Sequence, residues 1–331
     1  MQYRTLGKTD LRVSEIGLGC WQLGGDFGTM EDERAVAILD EAAKQGITFW
    51  DTADVYGAGL SESRIGRWCE ENCDQAGQPR PTIVTKVGRS GELYPDKYTK
   101  ERVRANLTAS LERIGGDSLD LVQLHCVPID LIKQGDILAW LEDFKSEGLI
   151  RHYGASVETI EEALYCVAQP GIATLQIIFS LFRQDAVEKL FAAAQRANVG
   201  IIVRLPLASG LLGGKMAASQ QFAAEDHRHF NRDGQCFNVG ETFAGLPFEK
   251  GVSLVEELKQ LAPNDLPLGR FALRWILDHP AVSTIIAGSS RPEQVAENAQ
   301  ASDMAPLDGA LHEELAAFYL ARVRPLVRGA V

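Results

Sequence analysis

The sequence predicts an α/β fold built on parallel strands, and two observations carry that prediction. Eight short β-rich runs alternate with amphipathic helical stretches along the chain, the pattern of consecutive βαβ units. Several of the runs are continuously apolar rather than alternating, as strands buried on both faces are. The unit repeats roughly every 30 to 40 residues, which suits a closed barrel and an open doubly wound sheet equally.

The elements follow in order. Residues 3–16 read as a hairpin, YRTL and LRVSEI around a GKTD turn. The eight strands are expected near 15–19, 48–52, 82–86, 119–125, 150–156, 174–179, 200–205 and 284–288. The stretch 31–45 places Ala35, Ile38, Leu39 and Ala42 at helical spacing, with Gly46 as its stop. Helices at 61–72, 100–114, 132–147, 159–168 and 186–197 follow the same logic, and another opens at Pro292. The polar, Gly-rich segment 216–250 breaks the rhythm after the seventh strand and reads as a lid. No linker divides the chain, so one domain is expected over 1–331.

Composition excludes several classes. The formal net charge of −12 argues against a general nucleic-acid binder, which needs clustered Lys and Arg. Six scattered cysteines complete no zinc set, Cys69 and Cys73 included, and read as reduced thiols. The first ten residues hold no apolar signal core, and no run nears the ~20 apolar residues of a membrane span. The expected location is the cytoplasm, with no membrane partner; oligomeric state is not legible.

Four polar residues stand at or just past strand ends: Asp51, Tyr56, Lys86 and His125. In a parallel barrel these ends share one face, so the four converge despite their separation in sequence. A phenol has a pKa near ~10, and a neighbouring ammonium favours its ionised form. Asp51 would pair with Lys86, and a neutral His125 would hold a carbonyl oxygen beside Tyr56. Such a set gives a proton to an oxygen that becomes an alkoxide. Each residue alone also has a purely structural explanation; the joint placement is what points to catalysis.

The segments GLGCWQLGG, DTADVYGAGLSESRIG, TIVTKVG, DLVQLHC and IIAGSSRPEQVAENAQ resemble the aldo-keto reductase superfamily across essentially the whole chain. The resemblance implies a (β/α)8 TIM barrel with an N-terminal β-hairpin at its base and long loops over the C-terminal face. It implies that Asp51, Tyr56, Lys86 and His125 form a catalytic tetrad acting on a small-molecule aldehyde or ketone. It also implies a nicotinamide cofactor. Trp21, Ser156, Gln176 and Arg204 would lie at the nicotinamide, and Leu205, Leu207, Ser209, Gly210, Leu212 and Lys215 along the pyrophosphate. Gly288, Ser289, Ser290, Arg291, Gln294 and Asn298 would hold the adenosine end. Arg291, the two serines and the free N–H groups before Pro292 favour NADPH over NADH. Trp21, Tyr56, His125 and Cys126 would border the substrate.

Two positions depart from the family pattern: Val157 stands where an Asn is frequent, and Arg204 where an aromatic residue often stacks on the nicotinamide. A guanidinium can stack too, and its charge would favour the neutral reduced ring. Three rivals are weaker. Gly17 and Gly19 before Asp51 only partly match a dinucleotide-binding glycine loop. A metal-dependent hydrolase would want more His and carboxylate ligands at strand ends, and the His227/His229 pair lacks a third. A cofactor-binding regulatory subunit, like the potassium-channel β subunits that resemble this family, is the alternative from another class.

Overall fold

A computed structural model describes residues 1–331. Strands β1 (Tyr3–Thr5) and β2 (Arg12–Ser14) pair antiparallel, with Tyr3 opposite Ser14. Eight further strands form a closed, all-parallel barrel: β3 (Ile16–Gly19), β4 (Phe49–Asp51), β5 (Thr82–Val87), β6 (Leu119–His125), β7 (Ile150–Ser156), β8 (Thr174–Ile178), β9 (Gly200–Arg204) and β10 (Val282–Gly288). Each pairs with its sequence neighbour, and β10 returns to β3 through Ile285 opposite Ile16. The closed barrel removes the doubly wound alternative.

Helices surround the barrel: α1 (Asp32–Lys44), α2 (Leu60–Cys69), α3 (Lys100–Ile114), α4 (Ile129–Gln134), α5 (Asp136–Ser146), α6 (Ile160–Val167), α7 (Ala186–Lys189), α8 (Phe191–Arg196), α9 (His227–Phe230), α10 (Phe248–Leu258), α11 (Leu268–Leu277), α12 (Pro292–Ala299) and α13 (Gly309–Phe318). Helix α1 buries the four residues that its periodicity marked, Ala35, Ile38, Leu39 and Ala42. Thr159 and Glu162 cap α6 reciprocally, satisfying two otherwise orphaned N–H groups. Three helices differ from the sequence reading. The expected 132–147 helix is two, broken at Gly135, whose φ of 90° no helix interior adopts. The 186–197 helix is interrupted at Leu190. Helix α2 ends in a wider turn over Glu70–Gln75.

The core has two layers. One set of 76 buried residues fills the space between strands and helices. A second, of eight, lies inside the barrel: Leu6, Leu11 and Val13 of the hairpin region meet Phe49, Val84, Leu121, Ile202 and Ile286. The hairpin therefore plugs the N-terminal mouth of the barrel, as expected. Because strand side chains alternate, the inward rows continue upward as Asp51, Lys86, His125 and Arg204. The interior thus passes from apolar at the base to charged at the top.

Candidate active site

The top of the barrel joins Asp51, Lys86 and Tyr56 into one hydrogen-bonded chain and sets His125 beside it. Lys86 Nζ donates to Asp51 Oδ1 at 2.5 Å, to the Thr52 carbonyl at 2.8 Å and to Tyr56 Oη at 3.1 Å. All three ammonium protons are thereby used. Asp51 Oδ2 accepts from Gln176 Nε2 at 2.7 Å, and Ser156 Oγ reaches Gln176 Oε1 at 3.4 Å. Lys86 and Asp51 are both about 1% exposed, so each needs the other's charge. Burial lowers the Lys86 pKa, but Asp51 and Tyr56 more than offset it, and the ammonium is held charged.

Burial raises the Tyr56 pKa, and Lys86 only partly draws it back. Lys86 thus favours the phenolate, as expected, but desolvation of the phenolate outweighs one ammonium and the phenol stays above its ordinary value. His125 stands edge-on to Tyr56, ring centres 6.0 Å apart. Burial, then the cations Arg89, Lys86 and Arg204, push its pKa well below the usual range, so the imidazole is neutral. Its Nδ1 is buried without a partner.

These residues open into a cavity of about 880 Å³, near the upper end for ligand pockets. Of the residues expected to touch a cofactor, Trp21, Ser156, Gln176, Arg204, Leu205, Leu207, Ser209, Gly210, Lys215, Gly288, Ser290, Arg291, Gln294 and Asn298 line it. Two do not. Leu212 is fully buried in the core, and Ser289 is buried with its Oγ accepting from Asn298 Nδ2 at 3.4 Å. Cys126 also leaves the cavity wall to its neighbour His125. Its sulfur lies 3.8 Å from Arg204 Nη2, and burial pushes the thiol up to about 11, so it is no thiolate nucleophile.

The sequence reading missed an ion cluster beside His125. Arg89, in the loop after β5, pairs with Glu241 at 2.5 Å and Glu158 at 2.9 Å. Arg204 reaches Glu241 at 3.3 Å and donates to the Val157 carbonyl at 3.1 Å. Glu241 belongs to the 216–250 segment, so this cluster moors that segment to the barrel rim. Despite burial, Arg204 and Arg89 hold the Glu241 carboxyl down at about 2. Cys126, Glu158 and Glu241 approach closely enough to hold a cation, but the two guanidiniums already neutralise them. His227 is buried against Trp21 and Phe27 while His229 is exposed, so that pair does not converge on a metal. Aromatic side chains Trp21, Phe27, Phe230 and Phe237 complete the wall near Tyr56. No spacing rule links Arg89 to Glu241 across the chain; the fold alone brings them together.

Comparison with known proteins agrees with this geometry. The chain is 31% identical over 314 residues to an uncharacterised oxidoreductase, YqkF, of Bacillus subtilis (strain 168), covering 92% of each. The structure superposes on the holo form of aldo-keto reductase AKR11C1 from Bacillus halodurans with a TM-score of 0.75 at 28% identity, covering 96% of both chains. The glycerol dehydrogenase AKR11B4 from Gluconobacter oxydans gives 0.76 at 26% identity, over 99% of this chain and 98% of that one. The model of the aldo/keto reductase family matches residues 15–319. A barrel of this topology, with this site at its top and a family match over nearly its whole length, makes the chain a member of the aldo/keto reductase family.

Proposed function

We propose that this protein reduces aldehydes or ketones to alcohols with NADPH, and that Tyr56 supplies the proton. The observation that carries this reading is the chain Asp51–Lys86–Tyr56 ending beside neutral His125 at the mouth of one long cavity. Burial keeps the phenol protonated until it is needed. The charged Lys86 then stabilises the phenolate left after the proton goes to the substrate oxygen. Asp51, braced by Gln176, fixes Lys86 in place. His125, without charge, donates a hydrogen bond to the carbonyl oxygen and orients it toward Tyr56. A bound reduced nicotinamide supplies the hydride that reaches the carbonyl carbon.

The residues present fit such a cofactor. The cavity leads from Tyr56 past the left-handed Ser209–Gly210 turn to Ser290, Gln294 and Asn298. Lys215, Arg270 and Arg291 line it, and Arg270 Nε is buried with no partner, a donor suited to an anionic oxygen. Arg291 beside the start of α12 supports a 2′-phosphate, hence NADPH over NADH. We read the chain as one domain acting in the cytoplasm; no helix is long and apolar enough to cross a membrane. The complete tetrad favours turnover over a purely regulatory, cofactor-binding role.

The test is to titrate NADPH and NADH into the protein by fluorescence and then follow cofactor absorbance with a panel of aldehydes. Tighter NADPH binding with aldehyde-dependent oxidation is expected. Binding of neither nucleotide would overturn the cofactor assignment, and tight binding with no turnover on any aldehyde would turn the reading to a regulatory subunit.

A further inference from the structure

Beyond the tetrad, the substrate end of the cavity carries several charged groups, and all but one are paired with an opposite charge. Arg89 is matched by Glu241 and Glu158, Arg204 by Glu241, and Arg228 by Asp226 at 2.6 Å. Asp26 is the exception. Its Oδ2 accepts from the uncharged Trp21 Nε1 at 2.8 Å, and the residue lines the cavity half-buried. Burial raises its pKa, while the Trp21 N–H and the Gly57 backbone draw it back.

Asp26 is tied to the reacting group through Trp21. Trp21 stacks on Tyr56 with ring centres 5.6 Å apart and planes 19° apart. The Asp26 loop is docked directly on the Tyr56 loop: a Cβ on Gly24 would fall 2.6 Å from the backbone of Tyr56 and Gly57, and one on Gly57 would fall 2.2 Å from the Gly24 carbonyl. Only two glycines allow that approach. The carboxylate therefore lines the same cavity as the phenol and is joined to it through the indole that it binds.

We infer that Asp26 determines specificity: it accepts a hydrogen bond from a hydroxyl or ammonium group a few bonds from the substrate carbonyl, and it rejects anionic substrates. The physical reason is the uncompensated charge. A carboxylate with acceptor capacity facing a half-dry cavity gains from a donor and is penalised by a second anion. Hydrogen bonds to charged groups discriminate more strongly than neutral ones. The neighbouring guanidiniums give an anion little counter-attraction, because their own carboxylates already occupy them.

This inference rests on the carbonyl-reduction reading, and the experiment separates the two. kcat/KM is measured with NADPH for butyraldehyde, glyceraldehyde, aminoacetaldehyde and succinic semialdehyde, in the wild type, Asp26→Asn and Asp26→Glu. The wild type is expected to rank glyceraldehyde and aminoacetaldehyde above butyraldehyde, and succinic semialdehyde last. Asp26→Asn is expected to lower the aminoacetaldehyde-to-succinic-semialdehyde ratio by about tenfold or more, and Asp26→Glu to keep its sign. A change by one common factor for all four substrates would reduce Asp26 to a support for Trp21 and overturn the assignment. So would a wild type that prefers succinic semialdehyde. Turnover of none of the four by any form would overturn both this assignment and the reduction reading on which it stands.

Discussion

The two ends of the barrel are built from the same strands and differ in almost everything else. In β4, Phe49 and Asp51 are two residues apart and both face inward; in β5, Val84 and Lys86 repeat the pattern. At the base, Phe49 and Val84 meet Leu6, Leu11 and Val13, and the hairpin seals the mouth with these apolar side chains and with hydrogen bonds such as Thr284 Oγ1 to the Ser14 carbonyl at 2.8 Å. At the top, Asp51 and Lys86 are charged, buried and paired with each other, while His125 is buried and neutral and Arg204 is matched by Glu241. The base gains stability by removing apolar area from water. The top holds charges where water is scarce, which costs stability unless every charge is matched. The comparison teaches that the barrel separates folding from chemistry along its axis, with the boundary crossed in about one layer of side chains.

The sharpest way to break that separation is at Tyr56. Tyr56→Phe removes the proposed proton donor and leaves the ring, its stacking with Trp21 and the rest of the cavity. Turnover is expected to fall by about 10²–10⁴-fold, with NADPH affinity and melting temperature little changed. Steady-state rates with fluorescence titration check this. A variant at wild-type rate would remove Tyr56 from its role.

Glu241→Gln tests whether the charged end also carries stability. It leaves Arg89 and Arg204 near one another with only Glu158 to answer them, and breaking a buried pair in this way costs about 3–5 kcal/mol. The pH dependence has a definite sign. The Glu241 pKa is lowered in the fold from 4.5 to about 2. Its contribution, about 3 kcal/mol, is therefore present above pH 4.5 and lost as pH falls towards 2. Denaturant unfolding from pH 7 down to pH 3 is expected to show the wild type converging on the variant. Parallel curves would mean that the cluster adds nothing to folding.

At the base the expectation reverses. Leu6→Ala opens a cavity in the eight-residue plug, where Leu6 is fully buried, and is expected to cost about 2–4 kcal/mol of stability. Below the melting transition kcat/KM should stay at the wild-type value. A fall in kcat with unchanged stability would contradict the axial separation.

The sequence revealed the two ends unequally. The hairpin and the strand positions were legible because alternation and apolar runs are local signals, the closed barrel through the family resemblance, and the convergence of Asp51, Tyr56, Lys86 and His125 because they recur at equivalent strand ends. The breaks at Gly135 and Leu190 were not, since a helical period continues across an interruption of one residue. The Arg89–Glu241–Arg204 cluster was hidden for a stronger reason. A surface-type Arg–Glu pair leaves no pattern in a sequence, and its burial comes from the 216–250 segment folding over the rim. Leu212, Ser289 and Cys126 were placed in the site through their neighbours in a motif. A neighbour in a strand or turn faces the other way, into the core or onto Arg204.

Arg204 gives the smallest effect and, on the proposed cofactor reading, ties the cluster to the nicotinamide. A lone cation at the nicotinamide would disfavour the positively charged oxidised ring. Here Glu241 lies 3.3 Å from the Arg204 guanidinium and cancels much of its field. Arg204→Tyr is therefore expected to shift the ratio of NADP⁺ to NADPH affinity by only about threefold towards NADP⁺, well under the tenfold that corresponds to 1.4 kcal/mol. In Glu241→Gln the shift should run the other way, because the cation is then uncovered. Titrating both nucleotides into both variants reads the two signs directly. Shifts of the same sign, or none in either variant, would place Arg204 too far from the ring for its charge to matter, and its role would reduce to mooring the 216–250 segment.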